Sequence, residues 1–73
     1  MNDSRRRRLR AINAQLENLA ERLEAIHIEE EEAFQARPEA LQNDKAIEEV
    51  EGVEQAHDLL TDVIDHINTI TQP

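Results

Sequence analysis

A chain of 73 residues with 17 Asp and Glu against 8 Lys and Arg, one aromatic side chain and no cysteine reads as a single small acidic domain. The missing cysteines exclude disulfide staples, thiol catalysis and thiolate metal centres, and no apolar run approaches the ~20 residues of a membrane span. Ordering so short a chain costs roughly 1.5 kcal/mol per residue, nearly as much as its aliphatic side chains return on burial, so self-association into a homodimer is expected.

The chain starts "MNDSRRRRLR", five Arg and one Asp, so residues 1–10 sum to +4 and the remainder to −13 within a net charge of −9. This basic start runs into a charged amphipathic segment and not into the apolar core of a signal peptide, so a soluble, cytoplasmic protein is expected. Ser4, preceded by Asp3, is the expected N-cap of a first helix. Arg5, Arg6, Arg7 and Arg8 then fall near a helix N-terminus, where cations oppose the macrodipole. Two readings account for them: contact with nucleic-acid phosphates, which release counterions when neutralised, or contact with the acidic end of another copy. The nucleic-acid reading is the alternative, because no aromatics interleave with the Arg run and no base-reading motif accompanies it.

From Leu9 the apolar residues step by three and four through Ile12, Leu16, Leu19, Leu23 and Ile26. That is the a/d seam of a helix packed on another helix. The seam frays at "EEEEAFQARPEALQ", residues 29–42. The carboxylates of Glu29, Glu30, Glu31 and Glu32 sit near a helix C-terminus, again against the dipole. Pro38 lacks a backbone N–H and disfavours helical geometry at Arg37, so helix 1 is expected over about 4–36 and a joint over about 37–43. Pro38 to Gln42 can form one helical turn, with Phe34 closing the open end of the seam against Leu41 or Ile47.

Asn43 or Asp44 is the expected cap of helix 2, about 44–71. Its seam is Ile47, Val50, Val53, His57, Leu60, Ile64 and Ile67, flanked by Ala56, Val63 and Ile70. A stripe that broad can face two neighbours. Two such helices on a short joint predict an all-α antiparallel hairpin, with facing positions whose numbers total about 80. Leu16 then lies near Ile64, Leu23 near His57 and Ile26 near Val53. The seam residues Leu16, Leu19, Leu23, Val53, His57, Leu60, Val63, Ile64 and Ile67 serve the core or a dimer, and the uncovered part of the stripe predicts a four-helix assembly. Gly52 is either a close backbone approach at a helix crossing or a tolerated surface residue.

Candidate chemistry is sparse. His57 at a seam position reads as an imidazole satisfied by a neighbour, or as a pH-sensitive packing element. His27 with Glu31 one turn on is a second possible ligand pair, but no His-x3-His spacing supports a metal, and none is expected. His66 falls on the outer face. Carboxylates abound, yet acid–base catalysis needs them to converge in a concave pocket, which a hairpin hardly supplies. No phosphate loop or nucleophile elbow is present, so neither enzymatic activity nor a cofactor is expected. What remains is charge: Glu17, Glu21 and Glu24 on helix 1, with Glu48, Glu49, Glu51, Glu54, Asp58, Asp62 and Asp65 on helix 2, form acidic rows suited to a basic protein surface.

The motif Glu-Glu-x-Ala-Phe followed by Pro-Glu-x-Leu-Gln, here through Ala33, Phe34, Pro38, Glu39, Leu41 and Gln42, together with the Arg-rich start, resembles a family of short uncharacterised helical proteins of bacteria, their phages and other mobile elements. The resemblance covers most of the chain and implies a helical hairpin in a mobile-element setting. The expected function is therefore that of a small acidic, non-enzymatic interaction module, possible as an inhibitor of a basic host protein through Glu29 to Glu32 and the helix 2 carboxylates. A nucleic-acid-associated regulator using the Arg arm and a purely structural, self-associating module are the alternatives.

Overall fold

The computed structural model describes residues 1–72. Helix α1 spans Asp3–Ala36, a single 3-10 turn covers Glu39–Leu41, and helix α2 spans Asp44–Thr71. The helices lie antiparallel as a rod 56 × 16 × 13 Å. No helix is long and apolar enough to cross a membrane among the described residues.

Both helices start on an asparagine. Asn2 caps α1, in place of the expected Ser4: its backbone is extended and its side-chain oxygen accepts the Arg5 N–H at 2.9 Å. Asn and Ser are comparable caps, and starting two residues earlier adds the Arg6 N–H to Asn2 carbonyl bond at 3.1 Å. Asp3 in the first turn then meets the positive helix end and reaches Arg6 at 3.3 Å. Of the two candidates at α2, Asn43 is the cap, accepting the Ala46 N–H at 2.9 Å.

The joint is held by hydrogen bonds. Arg37 is extended, as a residue before proline prefers, and its N–H still reaches the Phe34 carbonyl at 3.2 Å. Pro38 starts the 3-10 turn, whose Leu41 N–H donates to the Pro38 carbonyl at 2.8 Å. Leu41 does not seal the seam: it is 56% exposed. Gln42 ties the turn down instead, its Nε2 donating to the Phe34 and Arg37 carbonyls at 3.2 and 3.1 Å. Phe34 is half-buried and Ala46 buried at this end.

The seam of α1 differs from expectation. Leu9, Leu16 and Leu23 face α2, but the row that completes the seam is Asn13, Ala20, His27 and Phe34. Ile12, Leu19 and Ile26, one position earlier, are 48%, 43% and 47% exposed. On α2 the seam is Ala46, Val50, Val53, His57, Leu60, Ile64, Ile67 and Thr71, while Ile47 and Val63 are exposed. The reason is volume and polar pairing together. Bulky α2 residues meet a row that includes the buried Ala20, whose small side chain leaves room for them in the seam. Both polar side chains on the α1 row also reach partners: Asn13 Nδ2 donates to the Ile64 carbonyl at 3.3 Å and to Asn68 Oδ1 at 2.9 Å, and His27 Nε2 lies 3.8 Å from Glu54. Arg10 closes the open end by donating to the Thr71 carbonyl at 2.9 Å. The pairings Asn13–Asn68, His27–Glu54 and Arg10–Thr71 obey one antiparallel register, their numbers totalling 81 against the expected total of about 80.

Gly52 is not at a crossing of the two helices. A Cβ built there meets nothing within 4 Å.

The core is thin: among the described residues only Ala20, Ala46 and Ile64 are buried apolar residues. Ile64→Ala is expected to lower the unfolding free energy by about 2–5 kcal/mol in urea titrations followed by circular dichroism. Asn13→Leu should raise it by about 1 kcal/mol, since Asn13 Oδ1 is buried without a hydrogen-bond partner. A loss in the second variant would show that the Asn13–Asn68 pair outweighs that orphaned oxygen.

Candidate functional site

Because helical residues seven apart return to nearly the same side, each helix divides into a seam row and two flanks. On one flank of the hairpin α1 presents Arg10, Glu17, Glu24 and Glu31, and α2 presents Glu51, Glu54, Asp58 and Asp65. The antiparallel register sets Glu17 level with Asp65, Glu24 with Asp58, and Glu31 with Glu51. These are three rungs of like charge along one side of a rod no more than 16 Å thick.

Two histidines sit between the rungs and the seam. His57 Nε2 lies 3.4 Å from Glu24 and its Nδ1 3.7 Å from Asp58. His27 meets Glu54 across the helices. Both imidazoles are half-buried, whereas the carboxylates they touch stay at least half exposed. His27 pairs across the helices with Glu54 and not with Glu31 one turn on along its own helix. Among the described residues no three His, Asp or Glu side chains are grouped to hold a metal.

The opposite flank is apolar. Here α1 presents Ile12, Leu19 and Ile26, and α2 presents Ala56, Val63 and Ile70, with Gly52 and Leu59 on its shoulder. The register makes Ile12 level with Ile70, Leu19 with Val63, and Ile26 with Ala56. An open groove of about 490 Å³ runs between Leu23 and Ile26 on one helix and Gly52, Val53 and Ala56 on the other, rimmed by Glu30, Glu48 and Glu49. A second, of about 360 Å³, joins Leu19, Leu23 and Ile26 to Leu60 and is lined also by Arg22.

The two charge clusters do not act as compact patches. Consecutive helical residues point about 100° apart, so the cluster Glu29 to Glu32 splays: Glu31 joins the acidic flank, Glu30 is half-buried over the seam, Glu29 borders the apolar flank and Glu32 points outward. Asp62 likewise lies on the outermost side of α2, and Glu48 turns from there onto the rim of the apolar groove. Arg5 to Arg8 spread in the same way, with Arg6 half-buried beside Asp3 and the other three exposed. Of the seam residues expected to serve the core or a dimer, Leu16, Leu23, Val53, His57, Leu60, Ile64 and Ile67 lie in the hairpin seam, and Leu19 and Val63 on the apolar flank. Asn13, Ala20, Gln42 and Asn68 were not legible as structural residues, although Asn13, Ala20 and His27 share a seven-residue spacing that marks a competing seam.

No protein-family model matches the chain, and no curated protein or solved structure matches it.

Like charges on facing rungs repel, and salt screens that repulsion. Replacing Glu17 and Glu51 with Gln, one carboxylate from each of two rungs, is expected to raise the melting midpoint by about 2–4 °C at roughly 0.02 M salt, with the gain shrinking near 0.5 M. A lowered midpoint would mean that these carboxylates stabilise the hairpin.

Proposed function

We propose that this chain is a small, non-enzymatic protein-interaction module whose acidic flank occupies a basic surface of a partner protein, of the kind that otherwise holds nucleic-acid phosphates. The observation that carries this reading is the set of three carboxylate rungs. Hairpin stability is poorly served by setting Glu17, Glu24 and Glu31 level with Asp65, Asp58 and Glu51, because among the described residues the basic side chains that meet carboxylates of this flank across the helices are two histidines. A row of Lys and Arg on a partner would relieve that repulsion, and rows of like charge on a narrow rod attract such a surface at long range. The open grooves lie on the other flank and at the open end, and a narrow acidic rod suits macromolecular contact better than small-molecule chemistry. An inhibitor carried by a phage or other mobile element and acting on a host protein is the specific role we assign; the Arg-rich start and the Phe34–Pro38 joint motif support that setting.

A second reading has one observation behind it: Arg5, Arg7 and Arg8 are exposed at the open end of the rod, where they can meet phosphates.

The test is displacement of a fluorescent DNA duplex from basic DNA-binding proteins, read by anisotropy. The chain is expected to displace DNA at low salt. Glu24→Gln, Asp58→Asn and Asp65→Asn together should weaken displacement about tenfold or more, and a rise from about 0.05 to 0.2 M salt should weaken the unsubstituted chain steeply. Equal displacement by chain and variant would remove the acidic-flank reading. Direct binding of the labelled duplex by the chain alone, lost on changing Arg5, Arg7 and Arg8 to Ala, would establish the second reading.

A further inference from the structure

The apolar flank is unused by the acidic-flank reading, and it is built unevenly along its length. At the open end it carries two large side chains at one level, Ile12 and Ile70. Near the joint it carries small ones, Ala56 and Gly52, which leave the groove of about 490 Å³ beside Ile26. Nothing in the chain itself comes within 4 Å of a Cβ at Gly52, so the small residue is not required by the hairpin's own packing.

The charges at the two ends of this flank are opposite. Arg5 falls on the same row as Ile12, and Arg8 borders it; together with Met1, Leu9 and Ile12 they line an open patch of about 440 Å³. At the joint end the flank is bordered by Glu29, Glu30, Glu48 and Glu49, with the cation Lys45 on the Gly52 row, so that end is net acidic.

We infer that a second copy of this chain covers the apolar flank, with the two rods antiparallel and the two-fold axis passing beside Leu19 and Val63. This arrangement brings the Ile12–Ile70 end of each copy against the Gly52–Ala56 groove of the other, large against small at both ends. It also brings Arg5 and Arg8 of each copy level with Glu29 and Glu49 of the other. Parallel rods would do the reverse, setting bulk against bulk, groove against groove, Arg against Arg and Glu against Glu. A flank of a rod 56 Å long and 13–16 Å thick is large enough for the roughly 800 Å² per partner of a standard interface. It would also give the chain the apolar burial that its thin core lacks. The acidic flanks point away from the dimer and stay free, so this inference stands or falls separately from the proposed function.

Sedimentation should find a dimer for the unsubstituted chain and at least about a tenfold weaker dimer for Arg5→Glu with Arg8→Glu, restored when Glu29→Arg and Glu49→Arg are added. Orientation is read by cross-linking, since the chain has no cysteine of its own. Under mild oxidation, chains carrying Ala56→Cys mixed with chains carrying Ile70→Cys should form the mixed disulfide in preference to either self-pair. A monomer across the concentration range would overturn the proposal. So would predominance of the two self-pairs, the signature of parallel rods, or failure of the charge reversals to affect association. Cross-linking uses the folded dimer directly, so it decides the matter even if the fourfold charge variant folds poorly.

Discussion

Everything distinctive about this hairpin depends on which of two seven-residue rows on α1 accompanies Leu9, Leu16 and Leu23 into the seam. One row is Ile12, Leu19 and Ile26; the other is Asn13, Ala20 and His27. The second row enters, because a small buried residue at Ala20 admits the bulk of α2 and because Asn13 and His27 each meet a polar side chain there. The greasier row stays outside. In a lone helix pair that choice leaves apolar area in water, at roughly 25 cal/mol per Å², so it makes best sense if that area has somewhere else to go.

The choice of seam also sorts the charges. With the seam turned toward Asn13 and His27, the rows Glu17–Glu24–Glu31 and Glu51–Asp58–Asp65 come together on one side, and the aliphatic rows come together on the other. Polarity is thus divided across the rod, while charge sign is divided along it, from the Arg end to the joint. A monomer gains little from either division. The first gives an outward acidic surface, and the second gives a reason for two copies to lie head to tail.

The polar elements of the seam give up apolar burial for definition. Asn13 bonded to the Ile64 carbonyl and Asn68, Arg10 bonded to the Thr71 carbonyl, and His57 between Glu24 and Asp58 all require one register, whereas a seam of aliphatic residues alone would tolerate a slip by a heptad. At the joint the same job is done by Gln42, which ties the end of α1 to the start of α2 through two backbone carbonyls.

Two helices, the break at Arg37–Pro38, a cap at Asn43 or Asp44 and the antiparallel register were determined by the sequence itself, because each rests on local chemistry: apolar spacing, a missing N–H, a capping side chain, a short connection. The breadth of the α2 stripe likewise showed that Val63 and Ile70 would be left partly uncovered. The tertiary structure alone decided which α1 row enters the seam. Spacing cannot separate two rows one residue apart that share the same leucines, and hydrophobicity favours the wrong one. Only the fit of Ala20 against the α2 side chains, and the reach of Asn13 to Asn68 and of His27 to Glu54, tips the balance. For the same reason the division of the carboxylates into rungs, and the splaying of Glu29 to Glu32 around their helix, became visible only once the two helices were set side by side.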